Sequence, residues 1–243
     1  MENIIEIKDV TMHFNMCKEK IDSLKEYFIK LAKKQLIYED FVALEQVSAN
    51  IKKGEVFGIV GYNGSGKSTL LKTISGILKP TSGTIKVHGS IAPLIELGAG
   101  FDLNLTAREN IFLNGSVLGF SGQMIKDKFD EIVEFSELRE FLDVPMKNYS
   151  SGMVARIGFA VATMVKPDIL IVDEILAVGD YLFQQKCEKR INALMSGGTT
   201  VLIVSHALEQ IRRLCNRVMW LEKGRVKMIG ETQAVCDTYE GID

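Results

Sequence analysis

A glycine-rich octapeptide constrains this chain more than any other feature of its sequence. Residues 61–68 read GYNGSGKS, the full G-x-x-x-x-G-K-S pattern of a phosphate-binding loop. The preceding residues 55–60 have the composition of a buried strand, and residues 68–74 have the apolar spacing of a helix. Strand, loop and helix therefore occur in the order that the motif needs, which predicts an α/β fold and a nucleoside triphosphate ligand.

Each residue type in this loop has a role in binding phosphate. Glycines let backbone N–H groups crowd around the phosphate oxygens, and the N-terminus of the following helix favours an anion. Lys67 adds a point charge, and the Ser68 hydroxyl can reach a Mg²⁺ ion. A glycine-rich turn with a stray lysine is the less favoured alternative. The predicted nucleotide-binding residues are Gly61, Tyr62, Asn63, Gly64, Ser65, Gly66, Lys67, Ser68 and Thr69.

Length and charge fit a large α/β domain without a nucleic-acid surface. The 243 residues can form one such domain or a core with a smaller subdomain. Lys and Arg number 29 against 31 Asp and Glu, so the net charge of −2 points to no general nucleic-acid partner. Four scattered cysteines without a C-x-x-C pair favour a reduced cytosolic compartment, and the apolar stretches are too short to span a bilayer.

Hydrophobic periodicity predicts a mainly helical subdomain at residues 98–158, inserted into the α/β core. Strand patterns at residues 3–14 and 42–51 precede the loop, and the core resumes with buried strands at 168–172 and 199–204. Further strand patterns occupy 84–88 and 91–97, a hairpin surrounds 222–224, and helical patterns occupy 107–118, 123–135, 153–165 and 181–195.

An amphipathic segment lies between the two predicted N-terminal strands. Residues 17–38 place apolar side chains on one helical face and most lysines elsewhere. One interpretation is an ordinary surface helix packed on its own domain. The other is a helix at a membrane surface or a partner protein. The apolar residues are Ile21, Leu24, Phe28 and Leu31.

Two carboxylates follow the buried strand at residues 169–172. In a phosphate-loop protein this position suits Asp173 for holding Mg²⁺, directly or through water, and Glu174 for orienting the attacking water. The alternative is that they cap a helix. Their place 106 residues after Lys67, with a helical insert between, favours catalysis.

Two further features are compatible with anion binding. Ser150 and Ser151 precede a helix that carries Arg156, so they resemble N-cap residues with free N–H groups beyond them. The helix N-terminus could offer a second anion site, which in a single chain would be idle or face another molecule. His206, after a predicted strand, could donate to a γ-phosphate oxygen or be an ordinary strand-end histidine.

Together, these motifs resemble the ATP-binding cassette (ABC) family in their order along nearly the whole chain. The resemblance implies a head-to-tail homodimer with two ATP molecules, in which one subunit's signature helix covers the γ-phosphate bound by its partner. The signature, usually LSGGQ, reads YSSGM here. The resemblance further implies that Phe14 stacks on adenine, that Asp180 lies in the D-loop and that His206 is the switch histidine. The signature residues are Tyr149, Ser150, Ser151, Gly152 and Met153.

Longer motifs resemble the branch that exports lipid-linked teichoic acid, O-antigen or capsular polysaccharide. They are IELGAGF at 95–101, LTAREN at 105–110 and LAVGD at 176–180, together with the amphipathic insertion. One departure is Glu96, which occupies the position of the family's glutamine. That glutamine senses Mg²⁺ and the transmembrane partner, so the resemblance places Glu96 near the metal.

The expected fold is an α/β phosphate-loop NTPase core of RecA-like type with an N-terminal antiparallel β subdomain. We expect a single ATPase domain over 1–243 with an amphipathic insertion at 15–40, the helical subdomain at 98–158 and no C-terminal carbohydrate-binding domain. The implied partner is an ABC-2-type permease in two copies, at the cytoplasmic face of the plasma membrane. Other ABC branches for drug or lipid efflux, a soluble ABC ATPase and a phosphate-loop kinase remain alternatives.

Overall fold

The computed structural model describes residues 2–17, 38–95, 97–98, 100–173, 179–205 and 207–241. Its strands are β1 (Asn3–Cys17), β2 (Tyr38–Lys52), β3 (Val56–Val60), β4 (Ser82–Val87), β5 (Ile91–Pro93), β6 (Ile169–Asp173), β7 (Thr200–Val204), β8 (Arg217–Glu222) and β9 (Arg225–Glu231). Its helices are α1 (Lys67–Ile74), α2 (Ala107–Val117), α3 (Gly122–Ser136), α4 (Ser151–Ala162), α5 (Tyr181–Ser196), α6 (Leu208–Leu214) and α7 (Thr232–Glu240).

A six-stranded sheet in the order β5-β6-β7-β3-β8-β9 forms the centre of the molecule. Its strands run parallel except for β9, which pairs with β8 in antiparallel fashion. Because parallel strands end at the same edge, residue 61 after β3 and Asp173 at the end of β6 emerge on one side of the sheet. The α/β prediction is therefore confirmed.

Both faces of the central strands are buried, since alternate residues point into two separate cores. Phe57 and Ile59 of β3 belong to a core shared with α1 and the three-stranded sheet. Val56 and Val60 of the same strand belong to a core shared with the other helices. This two-sided burial explains why the strand reads as a continuous apolar run without alternation.

The N-terminal strands form a three-stranded antiparallel sheet in the order β2-β1-β4. Both long strands exceed the predicted spans and contain register shifts. Next to one shift, Asp9 adopts φ +48°, and its backbone N–H donates to Ser48 Oγ over 2.8 Å. This sheet packs its apolar face over α1, which lies between the two sheets.

Side-chain caps define where the helices of the inserted segment begin. Thr106 and Glu109 form a reciprocal capping box at α2, Ser121 caps α3 and Ser150 caps α4. These helices confirm the helical periodicity between residues 107 and 162.

Two parts of the sequence prediction need correction, and a third falls on residues that the structure does not describe. Strand β5 ends at Pro93 and not near residue 97, and the Leu94 N–H after it donates to Ile171 O over 2.8 Å. Helices α6 and α7 were not predicted, because both are short and lack a side-chain cap. The predicted amphipathic helix falls largely on residues 18–37, outside the described residues.

None of the helices in the described ranges has the length and hydropathy needed to cross a bilayer.

Burial of the cysteines gives a first prediction. Burial raises the pKa of the Cys187 and Cys215 thiols to about 12, and it also raises the pKa of Cys236. At pH 8 these groups are therefore protonated as well as shielded. In a Cys17→Ser variant, a chromogenic disulfide reagent should label the three thiols only after denaturant is added. Rapid labelling of the native chain would contradict this packing.

Candidate functional site

The phosphate loop opens onto a cavity of about 350 Å³ at the carboxyl edge of the central sheet. The sheet and β2 bring together residues that are far apart in sequence. The lining residues are Phe41, Ala43, Asn63, Gly64, Ser65, Gly66, Lys67, Ser68, Thr69, Asp173 and Val204. The predicted loop residues and the predicted metal ligand Asp173 thus share one cavity.

Lys67 is buried and is held by carbonyl groups of its own loop. Its Nζ donates to Gly61 O over 2.7 Å and to Tyr62 O over 3.0 Å. Helix α1 begins at Lys67, and its N-cap residue, Gly66, supplies no side-chain cap. The N-terminal end of α1, which favours an anion, thus has a glycine and not a capping side chain at its N-cap position, beside the lysine.

Two loop positions can be occupied only by glycine. Gly66 has φ +102°, and a Cβ there would lie 2.6 Å from Ala43 O. A Cβ at Gly61 would lie 2.2 Å from Leu221 O. The loop backbone is therefore pressed against β2 and β8, and a side chain at either position would displace it.

The polar groups around the cavity fit a magnesium nucleotide. The buried Ser65 hydroxyl has no hydrogen-bond partner among the described residues, so its bonding capacity is unused. Ser68 and Asp173 supply a hydroxyl and a carboxylate to the same cavity. Mg²⁺ takes such oxygen ligands, with waters and substrate phosphates completing its shell. The described residues contain no cluster of three or more His, Cys, Asp or Glu side chains for a metal held by protein alone.

An aromatic residue of the cavity wall was not predicted. Phe41 on β2 lines the cavity and is 45% exposed, whereas Phe14, the predicted adenine partner, does not line it. The two are cross-strand partners, and Phe14 packs on the core beneath the three-stranded sheet. No local sequence signal marked Phe41, because its place at the cavity follows from where β2 lies. Stacking of Phe14 on adenine stays a prediction.

The signature residues lie apart from the phosphate loop of their own chain. Ser150 caps α4, its Oγ accepting from the Met153 N–H over 3.3 Å, and Ser151 is the first helical residue. Both serines are exposed, and a Cβ added to Gly152 would approach nothing closer than 3.9 Å. None of the signature residues lines the cavity described above. This helix N-terminus is thus open to another molecule.

A charge cluster ties the signature helix α4 to Asp180, the N-cap residue of α5, and to Glu137 after α3. Arg156 on α4 donates to Asp180 over 2.6 Å and to Glu137 over 2.9 Å, and Lys186 pairs with Glu137 over 3.0 Å. The guanidinium of Arg156 also lies 4.5 Å from the centre of the Phe183 ring. We call Arg156, Glu137, Asp180 and Lys186 the signature-helix charge cluster.

Both acids of this cluster have lowered pKa values. The pKa of Glu137 is lowered chiefly by its hydrogen bond from Lys186, and then by the charges of Lys186 and Arg156. The pKa of Asp180 is lowered chiefly by the Phe183 N–H, with a contribution from Arg156. Their stabilising contribution is therefore complete at neutral pH and is lost as the pH falls through these lowered values.

Three predicted site residues lie outside the described residues, namely Glu174, His206 and Glu96. Their chain neighbours Asp173 and Ser205 are described: Asp173 ends β6, and Ser205 follows the adjacent strand β7.

The fold and this cavity define a phosphate-loop nucleoside triphosphatase. The family model described as "ABC transporter" matches residues 44–177, more than half of the chain. The chain belongs to the ABC transporter family and is an ATPase of that family.

Curated relatives match along nearly the whole chain. It is 41% identical to the O-antigen export system ATP-binding protein RfbB of Klebsiella pneumoniae, over 99% of this chain and 98% of that protein. It is 42% identical to the teichoic acids export ATP-binding protein TagH of Lactiplantibacillus plantarum, over 97% of this chain and 64% of that protein. A dimeric ATP-binding cassette solved with ADP and Pi has a TM-score of 0.72 at 24% identity, covering 94% of this chain and 98% of its own, which shows the shared fold.

Removing the loop lysine tests the nucleotide site. Lys67→Ala should abolish ATP binding, because the cavity loses its buried positive charge. Lys79→Ala, an exposed lysine after the same helix, serves as the control and should bind ATP normally. Equilibrium binding of a fluorescent ATP analogue would measure both. Unchanged binding by Lys67→Ala would contradict the assignment.

The charge cluster predicts a stability difference between two arginines. Arg156→Met should lower the free energy of unfolding by about 1–3 kcal/mol, because it removes hydrogen bonds to two carboxylates from a largely buried guanidinium. Arg139→Met removes one exposed pair with Asp130 and should change it by about 0.5 kcal/mol or less. Urea unfolding would measure both. An equal loss of unfolding free energy in both variants would contradict a stabilising role for the charge cluster.

Proposed function

We propose that this chain is the ATP-hydrolysing subunit of an exporter that moves lipid-linked polysaccharide across the plasma membrane. The observation that carries the proposal is the 41% identity to an O-antigen export ATP-binding protein over both full lengths. A 42% identity to a teichoic acid export ATP-binding protein supports the same polymer class. The sequence motifs at 95–101, 105–110 and 176–180 also favour this branch.

The phosphate loop would bind ATP through its backbone N–H groups and Lys67. Ser68 and Asp173 would hold Mg²⁺, which supplies electrostatic stabilisation of the transferring phosphoryl group. We assign Glu174 to orienting the attacking water and His206 to a hydrogen bond with the γ-phosphate. Glu96, at the position of the family's glutamine, would lie near the metal and carry coupling to the permease.

We propose a head-to-tail homodimer with ATP at its two interfaces. The exposed Ser150 and Ser151 support this, because the N-terminus of α4 does not face the nucleotide cavity of its own subunit. In the dimer, Ser150, Ser151, Gly152 and Met153 would cover the γ-phosphate bound by the partner subunit. Asp180 would lie at the same interface. Closure would then require ATP, and hydrolysis would reopen the dimer.

An apolar groove supports a permease partner. It has a volume of about 260 Å³ and lies between α2, α4 and the β5 edge of the central sheet, beside the segment that contains Glu96. Ile77 and Val117 on its rim are 52% and 68% exposed, so the groove presents apolar surface to solvent. We propose that a cytoplasmic helix of an ABC-2-type permease, present in two copies, binds here and receives the closing motion.

The insertion at 15–40 would lie at the membrane interface beside the permease. Its lysines suit anionic lipid headgroups. This contact would make the subunit a peripheral protein on the cytoplasmic face of the plasma membrane. The domain organisation is part of the same proposal: one ATPase domain over 1–243 with a helical subdomain at 98–158.

Co-purification from native membranes tests this function. The tagged chain, extracted in mild detergent, should bring down a stoichiometric multi-span permease identified by mass spectrometry, and ATPase activity should rise with that permease's polymer substrate. A drug or lipid transporter as the partner, or a soluble partner alone, would overturn the export function.

A matched pair of variants tests the groove. Val117→Glu places a charge on the exposed apolar rim and should abolish recovery of the permease while ATP binding persists. Gln185→Glu adds the same charge at an exposed position of α5, away from the groove, and should leave recovery unchanged. Equal recovery with both variants would contradict docking at this groove.

A catalytic variant tests the hydrolytic assignment. Glu174→Gln keeps the shape of the side chain but removes the carboxylate that we assign to the attacking water. We expect it to bind ATP, to accumulate as an ATP-bound dimer and to lose at least about 100-fold in turnover. Phosphate release and size-exclusion chromatography measure these properties. Near-normal turnover would remove Glu174 from this role.

A further inference from the structure

The single tryptophan of the chain lies beside the beginning of the phosphate loop. Trp220 on β8 pairs with Val60, the residue directly before Gly61. Its buried Nε1–H has no hydrogen-bond partner among the described residues. The ring of Tyr239, on the C-terminal helix α7, meets this indole edge-on, with ring centres 5.2 Å apart and planes at 89°. The tryptophan therefore connects the loop's base to α7.

Tyr239 also contacts the phosphate loop itself. Its ring centre lies 5.4 Å from that of Tyr62, the second residue of the loop, with the planes tilted by 37°. Tyr62 is 63% exposed, and among the described residues only Tyr239 places an aromatic ring against it. We call Tyr62, Tyr239 and Trp220 the aromatic bridge. One ring of α7 thus spans from the central sheet to the loop.

Helix α7 is anchored firmly enough to fix this ring. Its Val235 side chain is fully buried, and Thr232 Oγ1 donates to the backbone carbonyl of Cys215 over 2.9 Å. Ion pairs with α6 hold its last turn: Arg212 lies 2.7 Å from both Asp237 and Glu240. The position of Tyr239 is therefore set by the body of the protein and not by the loop.

The backbone of Tyr62 in turn holds the phosphate-binding lysine. Its carbonyl accepts from Lys67 Nζ over 3.0 Å and from the Ser65 N–H over 3.1 Å. A change in the position of Tyr62 would therefore move an acceptor that orients the lysine. Packing of its ring on Tyr239 restricts that movement, and aromatic pairs contribute measurable stability beyond their buried area.

We propose that Tyr239 is a positioning residue for the phosphate loop and that the aromatic bridge makes the C-terminal helix a determinant of nucleotide affinity. The bridge holds the first turn of the loop in the conformation that presents Lys67 to phosphate. The proposal requires only that nucleotide binds at the loop, and it is independent of what the protein exports.

Calorimetric titration of the full chain with Mg²⁺ and ADP tests the proposal. ADP is the probe because it lacks the γ-phosphate that the partner's signature helix would cover. Tyr239→Ala should bind ADP about three- to tenfold more weakly, whereas Tyr239→Phe, which keeps the ring, should bind like the parent. Tyr62→Ala should reproduce the loss, and the double alanine variant should bind no more weakly than either single variant.

A matched control separates positioning from a general loss of stability. Val235→Ala weakens the packing of the same helix but leaves the ring of Tyr239 in place. It should lower the melting temperature while ADP affinity stays that of the parent. Trp220 emission supplies a second readout: it should shift on ADP binding in the parent and shift less in Tyr62→Ala.

Either of two results would overturn the proposal. One is unchanged ADP affinity in Tyr239→Ala, and the other is an equal loss of affinity in Val235→Ala, which would assign the effect to helix stability. The ADP affinity of the parent chain tests the phosphate-loop assignment separately from both.

Discussion

The phosphate loop keeps its shape because backbone groups from distant parts of the chain close against it. The Gly224 N–H donates to Ser65 O over 2.9 Å, and the Gly224 carbonyl accepts from the Glu45 N–H over 2.8 Å. A Cβ on Gly66 would collide with the Ala43 carbonyl. The loop, β2 and the β8–β9 turn therefore interlock through main-chain contacts, and the ion pair of Arg225 with Glu45 adds a side-chain link between β9 and β2. These contacts hold the backbone of the loop in one conformation.

The phosphate loop and the signature helix depend on different supports. The phosphate loop is fixed by hydrogen bonds and tight glycine contacts with the sheets. The signature helix packs its apolar residues into the core, and charges link it to neighbouring helices: Arg156 joins α4 to Glu137 after α3 and to Asp180 before α5. In the proposed dimer the two parts meet only across the subunit boundary. The charge cluster then orients the signature toward its partner without fixing it to the loop of its own subunit.

Local patterns predicted much of the fold and of the site. Signals within a few neighbouring residues marked three sets of features. They are the octapeptide at 61–68, the apolar runs of β3, β6 and β7, and the helices α2 to α4 with their capping residues. Asp173 was predictable because it ends an apolar strand. The family resemblance supplied Asp180 and the signature, whose LSGGQ-like form is altered here.

What sequence reasoning missed depends on tertiary contacts between distant segments. Phe41 reaches the cavity only because β2 crosses beside the loop, and Tyr239 reaches Tyr62 only through the docking of α7. Helix α7 has no side-chain cap, so the sequence has no N-cap residue that would predict where this helix begins. The link between Arg156 and Glu137 likewise joins two helices whose approach follows from packing. Contacts between distant segments cannot be predicted from the residues that flank each of them.

The pairing of β3 also determines when the nucleotide site can form during synthesis. Val56 pairs with Val201, and Val60 pairs with Trp220, so the strand before the loop has no neighbour in its sheet until residues 200–222 are being made. Contacts of such sequence separation slow folding. A nascent chain still on the ribosome would carry the phosphate-loop sequence for most of its synthesis without a working loop. ATP cannot assist the early steps of folding, and its stabilising effect begins only once the C-terminal strands have left the exit tunnel.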